Sequence, residues 1–99
     1  MSKEHNYYIY ILASQRNGTL YVGVTSSLLK RTIEHKQQEY KDSFTNKYSV
    51  YSLVYYEEYQ NISDAIARET QLKWWKRKWK IDLIQKDNPT WRDLFIDMM

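Results

Sequence analysis

Tyr7-Tyr8-Ile9-Tyr10-Ile11-Leu12-Ala13, then Ser14-Gln15-Arg16-Asn17-Gly18-Thr19, then Leu20-Tyr21-Val22-Gly23-Val24 is the stretch whose reading decides the fold. Two runs of β-branched and aromatic residues on either side of an Asn-Gly turn signal form a β-hairpin. Side chains alternate along a strand, so loop length decides which residues share a face. A two-residue loop, Asn17-Gly18, sets Tyr21 opposite Ser14. A four-residue loop, Gln15 to Gly18, sets it opposite Leu12, and a three-residue loop puts Tyr10 and Tyr21 on opposite faces. The four-residue loop makes the two tyrosines diagonal neighbours, on the order of 7 Å apart at Cβ, and is the register expected here.

Downstream, Thr25-Ser26-Ser27 supplies capping hydroxyls for a helix from Leu28 to about Gln38. On it Leu29 and Ile33 form one ridge, while Leu28, Arg31, Thr32 and His35 share a second face at three- and four-residue spacing. Glu39 to Lys47 is polar and reads as a loop, and Tyr48 to Tyr59 as a long strand wet on at least one side. Ser63 is the expected N-cap of the next helix, with Asp64 well placed against its dipole. After Gly23 the next Gly or Pro is Pro89, so Asp64 to about Gln85 is one long helix or two with a bend. Asn88-Pro89-Thr90-Trp91 reopens the chain, and Trp91 to Phe95 is expected to dock as a short segment. Residues 1–99 make one domain, with the motif-bearing core at about 5–80 and a C-terminal helical docking part at about 81–99.

Composition narrows the chemistry. A 99-residue chain buries only a little over ~60% of the surface its unfolded form exposes, so any active site is shallow. Ten Tyr and four Trp against two Phe give the apolar material polar handles, able to fill a core or to stack on bases. The lack of cysteine excludes disulfides, zinc-thiolate sites and thiol nucleophiles, which leaves oxygen or imidazole to hold any metal. No apolar run approaches the roughly 20 residues that span a bilayer, and no signal-peptide core is visible near Met1, so a cytoplasmic protein without a membrane partner is expected. The formal charge of +3 leans toward polyanions.

Three groups of residues can carry chemistry. On the second helix Ile62, Ala65, Ile66, Leu72 and the stem of Lys73 line one stripe, and Glu69 falls in the middle of it. A carboxylate so placed needs a cation: Arg31, Lys73 or a divalent ion. Tyr10 and Tyr21 are either half-buried packing residues or phenols whose pKa, ordinarily near ~10, a neighbouring cation lowers for work on a proton. Arg31 and His35 are either that neighbour or a solvated face. Finally, Lys73-Trp74-Trp75-Lys76-Arg77-Lys78-Trp79-Lys80 packs five cations and three indoles into eight residues. With Leu72, Trp75, Trp79 and Leu83 as an apolar stripe, Lys73, Lys76, Arg77, Lys78 and Lys80 make a basic ridge for a phosphate backbone or a solubilising face, and Trp74 is a stacking candidate on the far side.

The order of these residues is more specific than any one of them. Tyr8-Ile9-Tyr10, then Tyr21-Val22-Gly23, Arg31 eight residues later, His35 one turn on and a helical Glu69 together resemble the GIY-YIG nuclease family, above all its small stand-alone bacterial branch. The resemblance implies an α/β (α+β) fold, a three-stranded antiparallel sheet flanked by helices, and metal-dependent endonuclease action on DNA, branched or damaged DNA included, as in repair or recombination. It implies one divalent ion, Mg²⁺ or Mn²⁺, with Glu69 as its protein ligand, a suitable oxygen donor for a hard cation. Tyr10 and Tyr21 would position or deprotonate water, Gly23 would let backbone pass closely, Arg31 would neutralise the scissile phosphate, and His35 would assist proton transfer. Three departures from the family pattern stand out: Tyr8 is where the family name has glycine, Val24 is where several members carry lysine, and the family's late asparagine has no counterpart at the usual distance after Glu69, with Asn88 as its candidate. A nucleic-acid-binding module with little or no catalysis is the alternative, and a homodimer is one way to engage both strands.

Overall fold

The computed structural model describes residues 6–37 and 48–98, and within them the hairpin is the centre of the molecule. Strand β1 (Tyr7–Ala13) lies between β2 (Leu20–Thr25) and β3 (Ser52–Tyr59) in an antiparallel sheet of order β2-β1-β3. Leu12 pairs with Tyr21 and Tyr10 with Gly23, the register of the four-residue loop. Ser14 N–H donates to Thr19 O, and Gly18 N–H to Gln15 O. Asn17 takes the left-handed conformation at φ 57°, which asparagine tolerates. Gly18 is needed for space: a Cβ there would stand 2.3 Å from Ser14 Oγ.

Alternation then sorts the sheet into two faces. Ile9, Ile11, Ala13 and Val22 pack with Val54, Tyr55, Ala65, Leu72, Ile84 and Trp91 on one side. Tyr10 and Leu12 pack with Leu28, Val50 and Leu53 on the other. The first side is covered by α2 (Ile62–Trp74) and α3 (Arg77–Asp87), the second by α1 (Leu28–Lys36) and a short 3₁₀ turn at Leu94–Met98. Among the described residues, an α/β arrangement of three antiparallel strands and three α-helices is thus the observed architecture.

Several local expectations are corrected. The third strand begins at Ser52, not Tyr48, because Ser49 at φ 56° turns the chain before it extends. The expected loop from Glu39 to Lys47 lies outside the described residues. Ser27 occupies the N-cap of α1, yet the working hydroxyl is that of Thr25, which accepts from Ser27 N–H at 3.0 Å. The N-cap of α2 is Asn61, whose side chain accepts from Ser63 N–H at 2.8 Å.

The second helical region is two helices. Trp75, at φ −63° and ψ 146°, ends α2, so the 3.6-residue period does not run through it and the expected Leu72-Trp75-Trp79-Leu83 stripe is broken. Trp75 is half-buried and Trp79 is 49% exposed. Tertiary contacts hold both sides of the break: Arg68 sits 5.0 Å over the Trp75 ring, and Arg77 Nη2 donates to Asn17 O and Gly18 O at 2.6 Å each.

The buried face of α2 is also rotated from the expected one. Ala65 and Leu72 are buried, Ile62 and Ile66 are exposed, and Arg68 joins Glu69 as a half-buried residue between the buried positions. Arg68 can do so because Glu57 on β3 accepts from its guanidinium at 2.9 and 3.0 Å, while its stem covers apolar surface. Tyr55 and Tyr59 also donate to Glu57. Burial opposes the Glu57 charge, but these donors outweigh it and hold its carboxyl below the usual range. Burial and the same carboxylate push Tyr59 up to about 12 and raise Tyr55 as well.

The C-terminal segment closes a defect in the sheet. Pairing of β1 with β3 shifts between Ile11 and Leu12, leaving Val54 as an extra residue. Asn88 Nδ2 donates to Val54 O at 3.1 Å and to Arg92 O at 2.8 Å, and its Oδ1 accepts from Arg92 N–H. Asp93 Oδ1 accepts from Leu53 N–H at 3.1 Å, and its other oxygen meets Lys36 of α1. Asn88→Ala would leave the buried Val54 carbonyl without this partner and release the Arg92 backbone, so urea denaturation should show a loss of about 1–3 kcal/mol with an unchanged slope.

Candidate active site

Tyr10, Tyr21 and His35 come together on the α1 side of the sheet. The Tyr10 and Tyr21 ring centroids are 6.2 Å apart, and His35 lies 6.1 Å from the first and 5.6 Å from the second. Register puts the two tyrosines on one face, and the i, i+4, i+7 spacing of Leu28, Thr32 and His35 turns the buried side of α1 toward them. Thr32 hydroxyl donates to Leu28 O, which satisfies the other polar group on that buried side. Tyr10 Oη and His35 Nε2 stand 3.3 Å apart, and Tyr10 donates when that nitrogen carries no proton. Tyr10 is 2% exposed, whereas Tyr21 on edge strand β2 is half-buried.

Gly23 explains how the rings fit. A Cβ at this position would lie 2.5 Å from both Cζ and Oη of Tyr10, so the tip of that ring occupies the space a side chain would need. The neighbouring Val24 points to the opposite face and packs against the main apolar cluster.

Electrostatics keep His35 neutral near pH 7. Burial first, and then the Arg31 cation one turn earlier, push its pKa below the ordinary 6.5, with Glu34 pulling the other way. Arg31 Nε is 3.7 Å from Glu34 Oε1, an ion pair open enough to water for a phosphate oxygen to compete for the guanidinium. The cluster thus offers a neutral imidazole, two phenols and a cation beside them, suited to handling protons next to a phosphodiester.

Glu69 is mounted differently. It sits on α2, whose buried face packs against the other side of the sheet, with Oε2 3.5 Å from Lys73 Nζ and its side chain 16% exposed. Lys73 is the more exposed partner, so the pair can open. Among the described residues no three His, Asp or Glu gather as a metal cage. One half-buried carboxylate completed by waters and phosphate oxygens nevertheless fits the way Mg²⁺ is commonly held.

The basic ridge is divided by the break after Trp75. Arg77 is committed to the hairpin turn, Lys73 to Glu69, and Lys76 lies 5.7 Å over the Trp79 ring. Burial and the Arg77 charge lower the Lys80 pKa. Lys78 is exposed, and Trp74 at 84% exposure is the most open of the large apolar side chains among the described residues. Asn88, the sequence candidate for the family's late asparagine, is fully engaged in the bulge contacts described above.

Residues 6–82 match the profile of the GIY-YIG catalytic domain. The chain belongs to the GIY-YIG family. Its GIY-YIG relatives include a UPF0213 protein of Syntrophus aciditrophicus, 37% identical over 82 residues that cover 83% of this chain and 92% of that one. A UPF0213 protein of Bacillus pumilus is 32% identical over 78 residues, covering 79% of this chain and 78% of its own. The solution NMR structure of a UPF0213 protein from Bacillus halodurans shares the fold, with a TM-score of 0.55 at 23% identity over 89% of this chain and 92% of that one. GIY-YIG membership implies a nuclease-type function with DNA as substrate, and GIY-YIG nucleases generally use a divalent metal. Among the described residues no helix is long and apolar enough to cross a membrane.

Two measurements probe the cluster. Gly23→Ala forces its methyl into the Tyr10 ring and should cost about 1–3 kcal/mol in urea denaturation. The His35 ring protons should titrate in NMR with a midpoint below 6.5, and Arg31→Ala should move that midpoint upward. Since the folded-state pKa is the lower one, the stability His35 contributes is present above pH 6.5 and is lost as pH falls through the folded value.

Proposed function

We propose that this protein is a divalent-metal-dependent endonuclease that hydrolyses DNA phosphodiester bonds, acting in the cytoplasm on branched or damaged DNA during repair or recombination. The observation that carries the reading is the convergence of Tyr10, Tyr21 and neutral His35 with Arg31 one helical turn away.

Each residue has a role that follows from its surroundings. Arg31 exchanges Glu34 for a non-bridging phosphate oxygen and offsets the charge that grows there during attack. Tyr21, the more open phenol, orients the attacking water, whose oxygen approaches phosphorus in line with the bond to the leaving oxygen. His35 accepts a proton because its imidazole is neutral, and Tyr10 fixes the ring from the buried side. Glu69 would hold the metal ion, which supplies Lewis-acid stabilisation of the phosphate when bound. Lys73 then gives up that carboxylate and becomes available to the nucleic acid. Lys76, Lys78, Lys80 and Trp74 extend the contact beyond the scissile phosphate, with Arg77 positioned on the hairpin turn between them.

A second reading, a nucleic-acid-binding module with little or no catalysis, is favoured by Val24, which leaves the lysine position of several family members apolar, and by the open Trp74 beside several lysines. Nicking of supercoiled plasmid separates the two. With Mg²⁺ or Mn²⁺ the wild type should convert supercoiled to open-circular DNA, and chelation should stop it. Tyr21→Phe and Arg31→Ala should slow nicking by about 100-fold or more. Glu69→Gln should abolish nicking while leaving thermal unfolding and DNA binding in place. Undiminished nicking by Glu69→Gln would remove its metal role. Steeply salt-dependent binding without metal-dependent nicking in the wild type would leave the binding module standing.

A further inference from the structure

A cavity of about 430 Å³ opens on the same sheet face as the tyrosine and histidine cluster, two residues along β1. Tyr8, Tyr56 and Glu58 from the sheet line one wall, with Ser26 and Ser27 ahead of α1 and Met98 from the 3₁₀ turn opposite. Tyr8 stands in the register where the family name has glycine, so an aromatic ring fills this wall. The Tyr8 and Tyr56 rings meet edge to face at 6.3 Å, and Tyr8 donates its hydroxyl to Glu58 Oε2 at 3.3 Å. Tyr56 pairs with Tyr10 and Glu58 with Tyr8, so the cavity is a direct continuation of the catalytic face. Residues i and i+2 on a strand are about 6.6 Å apart, a short step between neighbouring parts of one nucleotide chain.

A smaller polar hollow of about 180 Å³ adjoins it, lined by Thr25, Lys30, Arg31 and Glu34 and sharing Ser26 and Ser27 with the larger one. Arg31 N–H donates to Ser27 O, so the shared wall and the proposed phosphate-binding cation belong to one turn of α1. Two compartments result, one aromatic with a carboxylate acceptor and one cationic, separated by two serines.

We propose that the larger cavity holds an unpaired nucleobase bearing an exocyclic amino group, adenine, cytosine or guanine, from the DNA strand whose phosphate lies against Arg31. The proposal rests on the nuclease reading above and adds the form of its substrate. Tyr8 and Tyr56 supply ring surface for a base, which stacks whatever its sequence. Glu58, an acceptor when ionised, takes the amino hydrogens, whereas thymine offers only N3–H, flanked by two carbonyl oxygens that the carboxylate repels. Glu58 also repels a phosphate, which directs the strand's charge toward Lys30 and Arg31. A base can enter such a cavity only from a single strand, a flap, a junction or an extruded position, so the enzyme would read unpaired structure rather than duplex sequence.

Binding of single-stranded 12-mers of dA, dC and dT, and of a dA 12-mer with central abasic sites, tests this in chelator so that the strands stay intact. The wild type should bind dA and dC at least about 5-fold more tightly than dT or the abasic strand. Tyr8→Ala and Glu58→Ala should bring all four to one affinity, Tyr8→Phe should keep part of the preference through its ring, and Arg31→Ala should weaken all four alike. A 2-aminopurine in a dT 12-mer should lose fluorescence on binding the wild type and not on binding Tyr8→Ala. Equal affinity of the wild type for all four strands, with Arg31→Ala still weaker throughout, would overturn the base cavity and leave the nuclease reading intact. Absence of any strand binding together with absence of metal-dependent nicking would overturn both. Tyr8-dependent binding of free adenosine monophosphate without binding of the 12-mers would overturn the strand-borne base and assign the cavity to a free nucleotide.

Discussion

The tip of the Tyr10 ring occupies the volume that a side chain on Gly23 would need, and the rest of the proposed catalytic face is arranged around that contact. Tyr10 is on the central strand and all but fully buried, so it cannot swing away to relieve a clash. Only the register that sets Tyr10 opposite Gly23 lets the ring lie over β2, and that register places Tyr21 diagonally beside it. His35 then meets a phenol whose position is fixed by packing rather than by its own hydrogen bond. A geometry held by an excluded volume is stiffer than one held by a single polar contact.

The two faces of the sheet divide the labour. Ile9, Ile11, Val22, Val54 and the helices behind them make the larger apolar cluster, stapled by Glu57 with Arg68 and two tyrosines. The α1 face carries the smaller cluster together with Tyr8, Tyr10, Tyr21 and His35. Such a division lets the α1 side keep half-buried tyrosines, a buried histidine and open cavities, which a single core in a chain of this size would have to fill. Glu69 is the exception, a proposed catalytic side chain carried on the helix of the structural face.

What the sequence disclosed and what it withheld follow from the range of the interactions. Hairpin loop length and the buried side of α1 depend on residues within a few positions of each other, and Leu12 opposite Tyr21, and Leu28, Thr32 and His35 together, were readable from spacing. The orientation of α2 was not. Ile62 and Ile66 look more apolar than Arg68, and nothing near Arg68 in the chain announces Glu57, eleven residues away on a strand. The break at Trp75 has no Gly or Pro to signal it either, because Arg77 reaches sixty residues back to the hairpin turn. Tyr10, Tyr21, Arg31 and His35 were legible as a group because an ordered motif fixed their spacing, whereas the Tyr8 cavity needs β3 and the C-terminal turn, neither of which is local to it.

That same arginine has a thermodynamic consequence for any duplex the protein meets. Arg77 spends one amino group on two carbonyl oxygens, so it can meet a phosphate only where the hairpin turn holds it. Each phosphate neutralised by a lysine or arginine steepens the logarithmic dependence of affinity on salt by about 0.9 for a B-form duplex. Counting five cations between Lys73 and Lys80 would overstate that slope, because Lys73 already faces the Glu69 carboxylate and Arg77 is tethered to the hairpin turn.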